Sequence, residues 1–341
     1  MLASTHDLRN STRMSNDPFS DILKFTHAET LVTGGFTAGG SWSIRFPAPD
    51  KIKFFAVVKG HCWVCIDGED EPICVGPGDI GLLAAQKSFV LSSDLGLDPV
   101  DAMGLFTGNA TKTAQLGDGE DFIYLGGHVL LDPASRQLLA DALPPWIHVQ
   151  AGSPQAAAFR WLLDQLVQER SSNLPGAGLA SEQLAQLLFI QILRAHLNTS
   201  GSLPAGWLRA LGDSRISPAL RLMHGNPGHS WGLEELAKAA AMSRTTFAVH
   251  FKAVAGVAPL TYLTEWRMRL AERALREDDV PVAVLARSLG YTSESAFSNA
   301  FKRITGSAPN RYRVAVRPLN SRSTNASIFP FSEHIETLQS Q

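Results

Sequence analysis

The stretch LARSLGYTSESAFSNAFKRITGSAPNRYR, Leu285 to Arg313, repeats the pattern of LAKAAAMSRTTFAVHFKAVAGVAPLTYL, Leu236 to Leu263, about 50 residues upstream. Phe247, Phe251, Lys252, Gly256, Pro259 and Tyr262 recur as Phe297, Phe301, Lys302, Gly306, Pro309 and Tyr312. Leu236 and Leu285 match one residue out of step, so the two turns differ in length by one. In each unit an apolar helix (Leu233 to Ala241; Val282 to Leu289) meets a short turn. A second helix then opens on a Ser/Thr cluster, Ser243-Arg244-Thr245-Thr246 or Thr292-Ser293-Glu294-Ser295. A duplicated helical unit touches one long target twice, and that points to DNA.

The spacing assigns the faces. Phe247 and Phe251 stand four apart, as do Phe297 and Phe301, so each pair shares one helix face and anchors it on a core. The opposite face then looks outward. It carries Arg244, Thr245, Ala248 and Val249 in the first unit, and Glu294, Ser295, Ser298 and Asn299 in the second. Asn pairs with adenine edges, Ser with several bases, and Ala or Val with a thymine methyl. Between the units, Leu260 to Arg276 forms a linker helix with Leu263, Trp266, Leu270 and Ala274 on its apolar side. Arg267 and Arg269 on this helix are expected to contact phosphates or to hold structure. Seventeen residues at about 1.5 Å each span about 26 Å, approaching the roughly 34 Å between successive major-groove faces.

Charge follows the same division. Residues 1–204 hold 13 Lys and Arg against 21 Asp and Glu, while residues 205–315 hold 15 against 9, a net of +6. A basic block carrying helix repeats is the electrostatic footprint of a DNA-binding domain. Residues 316–341 are polar and balanced, and read as a flexible tail. Ser217-Pro218 reads as a helix cap and first position.

The first half has another texture. Phe54–Val58, Cys62–Ile66, Ile73–Val75, Ile80–Leu83 and Phe89–Leu91 are apolar or β-branched runs, broken by Lys59-Gly60, Asp67-Gly68 and Gly76-Pro77-Gly78-Asp79. Short strands between close turns predict hairpins in a sandwich or barrel over residues 19–130, closed by Pro144-Pro145. Residues 1–16 read as a disordered arm without a secretory signal. No apolar run of eighteen residues indicates a membrane span, which places the chain in the cytoplasm. Helical periodicity then takes over in PQAAAFRWLLDQLVQER and ASEQLAQLLFIQILRAHL, with SSNLPGAG between them and a start signal at Ser181-Glu182. The second segment is apolar on more than one face, so it is buried in the chain or packs against a partner. Residues 201–204 read as a linker.

Cys62 and Cys65 form a CxxC, but an odd offset on a strand sends the two thiols to opposite faces. Together with Cys74 they are expected to be buried free cysteines in a reducing compartment.

At these residues a family resemblance enters. GYTSESAFSNAFKRITGSAPNRYR, Gly290 to Arg313, closely resembles the signature of the C-terminal double helix-turn-helix domain of AraC/XylS-type bacterial transcription regulators, and the likeness covers about 216–313. DPFSDIL (Asp17–Leu23), FPAPD (Phe46–Asp50), GPGDIGLL (Gly76–Leu83) and LLADALPPWIHV (Leu138–Val149) resemble the cupin-type N-terminal domain of one branch of that family. The resemblance implies an α+β multidomain protein. Residues 17–149 form a cupin-like β-barrel, 150–204 a helical connector and dimerisation candidate, and 205–315 an all-α double helix-turn-helix. It implies a sequence-specific transcription regulator whose partners are double-stranded DNA, RNA polymerase, a small-molecule effector and a second copy of the chain. The family usually has basic residues near positions 248–249 and at 299; here they are Ala248, Val249 and Asn299, which moves those positions away from guanine reading.

Two rivals are open at this point. One is a metal-dependent cupin enzyme with an appended helical domain. Enzymatic cupins hold their metal with an HxH, a Glu and a later His. Here the first motif offers only His61, followed by Cys62 and Trp63, and LLAAQKSFVL supplies no later His. One imidazole does not make a typical metal site, so no metal, cofactor or catalytic residue is expected. The other rival is a protein-interaction module whose helices bind a polymerase subunit without reading DNA.

Overall fold

The computed structural model describes residues 17–320 apart from 27, 85, 106–113, 132–138, 140–142, 173 and 200–202. The disordered arm, the tail beyond 320 and most of the expected linker fall outside the described residues. The chain divides into two compact units, 17–218 with 249–257, and 219–248 with 258 onward.

The first unit opens with a helix where the sequence reading expected strand. Helix α1 (Pro18–Phe25) starts because Asp17 Oδ1 accepts the Phe19 amide at 3.1 Å and Pro18 presets the first helical φ. It buries Ile22, Leu23 and Phe25. Among the described residues eleven strands follow: β1 (Glu29–Ala38), β2 (Ser43–Phe46), β3 (Ile52–Lys59), β4 (Cys62–Ile66), β5 (Ile73–Val75), β6 (Ile80–Leu83), β7 (Phe89–Ser92), β8 (Val100–Asp101), β9 (Ala114–Leu116), β10 (Phe122–Leu130) and β11 (Trp146–Val149). A short helix α2 (Ala102–Leu105) follows β8. The expected barrel takes the form of two sheets, ordered β11-β6-β3-β10-β1-β9 and β5-β4-β7-β2-β8. Pro144-Pro145 does not close the strand region; β11 comes directly after it and pairs β6.

Alternation along β3 shows how the larger sheet is used on both faces. Ile52, Phe54 and Ala56 join one apolar cluster, and Phe55 and Val57 join another shared with the second sheet. The first cluster is completed by helices α3 (Ala156–Ser171) and α4 (Ala177–Thr199). Phe159, Leu162, Leu163 and Leu166 recur at helical spacing on α3, and Ala185, Leu188, Phe189, Ile192 and Leu193 on α4. Burying each large apolar side chain contributes about 1.5–3 kcal/mol. Thr30 Oγ1 donates to Gln186 Oε1 at 3.0 Å, and Arg170 donates to the Val32 carbonyl at 3.3 Å, tying the hairpin to β1 at its bulge. The helices expected as a connector therefore form the third layer of this unit. Helix α4 begins four residues before Ser181, which is buried inside it and caps nothing.

Cys62 faces the inter-sheet core, Cys65 the other side, and all three thiols are free. Cys74 is exposed, contrary to the expected burial, because β5 lies at a sheet edge.

Beyond α4 come α5 (Trp207–Gly212), α6 (Ser217–Gly225), α7 (Leu233–Ala239), α8 (Arg244–Ala255), α9 (Pro259–Glu277), α10 (Val282–Ser288), α11 (Glu294–Thr305) and α12 (Pro309–Asn320). Ser217 lies within α6, its amide bonded to the Asp213 carbonyl, so the cap expected there sits upstream. In the second unit His224 is fully buried, 2.9 Å from the Tyr262 hydroxyl and stacked on Trp266 at 4.2 Å.

Candidate nucleic-acid interface

The sequence repeat is a repeat of hydrogen bonds. In the turn of the first helix-turn-helix repeat the Ala240, Ala241 and Met242 amides bond the carbonyls of Leu236, Lys238 and Ala237. In the second repeat, Leu289, Gly290 and Tyr291 bond Leu285, Arg287 and Ala286, each shifted by 49. From the next cap onward the shift is 50. Ser243 Oγ accepts the Thr246 amide at 3.2 Å, and Ser293 Oγ accepts the Ala296 amide at 3.1 Å. The one-residue difference is thus Thr292, between Tyr291 and the Ser293 cap.

Each second helix buries its aromatic pair: Phe247, Phe251, Phe297 and Phe301 are all fully buried. Around α11 the rings interlock. Tyr291 meets Phe297 at 5.5 Å, Phe297 meets Phe301 at 5.8 Å, and Phe301 meets Tyr312 at 5.4 Å. Such edge-on and tilted pairs fix the rotation of the helix about its axis.

That rotation presents the outer face. Arg244, Thr245 and Val249 on α8 are exposed, Val249 to 66%, and Ala248 is partly so. Glu294, Ser295 and Asn299 on α11 are exposed, with Ser298 partly buried. Lys252, Lys302 and Arg303 lie exposed further along the same helices. Sequence reasoning had left them out, although Lys252 and Lys302 are one of the recurring pairs. The N-termini of α8 and α11 carry partial positive charge. A groove bordered by Glu234, Lys238, Met242 and Arg244 runs beside the first turn.

Arg267 and Arg269 differ from this pattern. Arg267 donates Nε to the Pro227 carbonyl at 2.6 Å and a terminal nitrogen to the His229 carbonyl at 2.8 Å, and it lies 5.8 Å from the Tyr291 ring centre. Two of its five N–H donors serve the fold. Arg269 is partly buried and acts electrostatically on Glu265 and Tyr262, whose burial pushes both their pKa values up.

In the first unit His148 Nε2 lies 3.1 Å from Asp79 Oδ2, whose carboxylate also takes the amides of Gly76 and Ala151. That explains His148 as a loop staple. His61 is exposed beside Gly76, and His128 is half-buried with its pKa lowered by desolvation and by Lys51 and Lys53. Among the described residues no group of three or more His, Cys, Asp or Glu is placed to hold a metal ion.

Residues 17–198 match a family model described as cupin, and residues 236–315 one described as a helix-turn-helix domain. A putative AraC-like transcription regulator of Streptomyces antibioticus is 42% identical over 302 residues, covering 89% of this chain and 100% of the relative. The chain belongs to the AraC family of transcription regulators. A second AraC-like relative, from Streptomyces lividans, is 40% identical over 87% of this chain and 98% of its own length. Among solved structures, the DNA-binding domain of AdpA in complex with a target DNA is 31% identical, covering 32% of this chain and 99% of that one, at a TM-score of 0.31. As an AraC-type regulator the chain binds DNA through its helix-turn-helix domain. Its relatives are regulators of transcription, and no helix among its described residues is long and apolar enough to cross a membrane.

Proposed function

We propose that α8 and α11 enter successive major grooves on one side of a duplex. Arg244, Thr245, Ala248 and Val249 read one block of bases, and Glu294, Ser295, Ser298 and Asn299 a second. Arg269 and the free edge of Arg267 are directed at phosphates. The observation that carries this is the pairing of two capped helices that bury their aromatic faces and expose these residues. Helix α9, 19 residues long and about 28 Å from end to end, joins the two repeats.

In the same reading the sheet unit binds a small-molecule effector rather than catalysing a reaction. Its third layer, the α3–α4 hairpin, docks a second copy through Trp161, Leu179 and Leu187, exposed to 56%, 64% and 39%. The regulator works in the cytoplasm and passes its state to RNA polymerase. An effector alters DNA binding only through different affinities for two states of the protein.

Selection of sites from a randomised duplex pool with the full chain is the test. Two preferred blocks about one helical turn, or roughly 10 base pairs, apart are expected. A single block, or no enrichment, overturns the reading.

A further inference from the structure

Helices α8 and α11 match position for position at a shift of 50, yet one flank of them differs. On α8, His250 and Val254 stand four apart and share a side of the helix, separate from the outward Thr245 and Val249. On α11 the same places hold Ala300 and Ile304. Val254 is 2% exposed, whereas Ile304 is 41% exposed. His250 Nε2 lies 2.9 Å from Asp213 Oδ2, whereas Ala300 has no polar side-chain atom to offer. The flank that α11 leaves open to solvent at Ile304 is covered on α8.

Segment 205–216 covers it. The Gly206 amide donates to the Val254 carbonyl at 2.9 Å, filling one of the acceptors that a helix C-terminus leaves open. Asp213, directly after α5, bonds in three directions. Its Oδ1 takes the Arg215 and Ile216 amides at 2.9 and 3.2 Å, and its Oδ2 takes the His250 ring N–H. A carboxylate only accepts, so the imidazole donates from Nε2. The two amides hold the carboxylate in place for the third bond. Both side chains of the pair are partly buried, where salt screens a polar contact less than at the open surface.

The other side of this segment packs on the sheet unit. Leu208 on α5 joins Leu188, Ile192 and Leu193 of α4 in the first apolar cluster, with Leu197 packed against it. Gly212 runs so near α4 that a Cβ on it would lie 3.5 Å from Leu197 Cδ2. Residues 249–257, the second half of α8 and the turn after it, accordingly fall in the compact unit of 17–218.

We propose that segment 205–216 is a strap that positions the first reading helix on the α3–α4 layer of the sheet unit, with Asp213 and His250 as its positioning pair. A change of state in the sheet unit then reaches the block of bases under α8 and leaves the block under α11 alone. That consequence rests on the reading of α8 and α11 as base-reading helices, whereas the strap stands without it.

Hydrogen–deuterium exchange of the full chain, resolved by peptide, tests the strap first without DNA. His250→Phe keeps a ring and loses the bond, while His250→Gln places an amide N–H near the position of Nε2. His250→Phe should speed exchange across 205–216 by about five-fold, the scale of one net hydrogen bond, and His250→Gln should restore the parent's protection. Thermal melts confirm that each variant is folded. His250→Asn, whose amide stops short of Asp213, replaces the Phe variant if that one fails to melt cooperatively. Unchanged exchange across 205–216 in the folded broken variant, or equal loss in the Gln variant, overturns the strap.

A duplex selected by the parent from a randomised pool is then added. In the parent it should slow exchange in 205–216 as well as in α8 and α11. In His250→Phe it should slow α11 as before and 205–216 no longer. A contact that serves the fold alone would leave 205–216 indifferent to DNA in the parent, and that result overturns the positioning role. Selection of no duplex, or of one with a single block, sinks the base-reading proposal instead, and the exchange without DNA still decides the strap.

Discussion

Ala241 and Gly290 occupy the same place in the two helix-turn-helix units, each at positive φ, 52° and 81°. Both amides close the turn onto the residue three before, Lys238 or Arg287. The geometry demands a left-handed residue, and only the second unit supplies glycine. A left-handed alanine costs about 1–2 kcal/mol. Ala241→Gly is therefore expected to stabilise the fold by about 0.5–1 kcal/mol, after the added freedom of the unfolded chain is discounted. Gly290→Ala should cost more than about 2 kcal/mol, because the new Cβ would lie 2.3 Å from the Gly228 carbonyl oxygen as well as at a strained φ. Denaturant melts of the two variants should move in opposite directions; movement in the same direction refutes the equivalence.

Phe251→Ala and Phe301→Ala should each cost about 3–5 kcal/mol, since both rings are fully buried. The loss of DNA binding should follow the loss of structure. Normal melting with abolished DNA binding would mean that the aromatic face, not the polar one, meets the duplex.

Arg267→Ala should lower the melting temperature, at a cost of about 1–3 kcal/mol, because it leaves the Pro227 and His229 carbonyls without their donor. Arg269→Ala has no such bonds to lose. It should weaken binding to all sequences alike and flatten the salt dependence. If Arg267→Ala melts as the parent does, its two backbone hydrogen bonds are not holding the turn.

Much of this organisation is legible in the sequence because it is local. The five named strands appear within two residues of their expected ends, and the aromatic i, i+4 pairs fix which face of α8 and α11 is buried. The one-residue offset between repeats is visible too, and the structure places it at Thr292. What the sequence conceals is tertiary. Asp17-Pro18 is a helix-start signal hidden inside a strand-rich region. Helices α3 and α4 look like a connector because the sheet face that they cover is assembled from β1, β3, β6, β10 and β11. Arg267 looks like a phosphate ligand on a basic helix, and only the fold brings the Pro227 and His229 carbonyls to it.

Histidine burial in the first unit sets a pH dependence. Desolvation lowers the pKa of His196 on α4, and desolvation followed by Lys51 and Lys53 lowers that of His128 on β10. In both cases the unfolded chain binds a proton more readily than the folded one. Stability is therefore full above the unfolded value, about 6.5, and declines as pH falls below it. Melting temperature should drop between pH 7.5 and 5.5, and His196→Gln with His128→Gln should make that drop smaller. A double variant that loses as much stability as the parent over this range would exclude these imidazoles as its source.

Base reading is tested most directly at Asn299 and Val249. Asn299 is exposed on α11 and offers a donor and an acceptor to an adenine edge, while Val249 is 66% exposed on α8 and offers methyls to thymine. Asn299→Ala should relax preference at one base position in the block read by α11, by about 1–3 kcal/mol. Val249→Ala should do so at one position in the other block. Neither side chain is buried, so neither change should alter the melt by more than about 0.5 kcal/mol. Selection from a randomised pool separates the two effects, because each variant is expected to lose information in its own block only. An unaltered site preference for Asn299→Ala would remove Asn299 from the reading surface and leave Ser295 and Glu294 as the residues of α11 next in line.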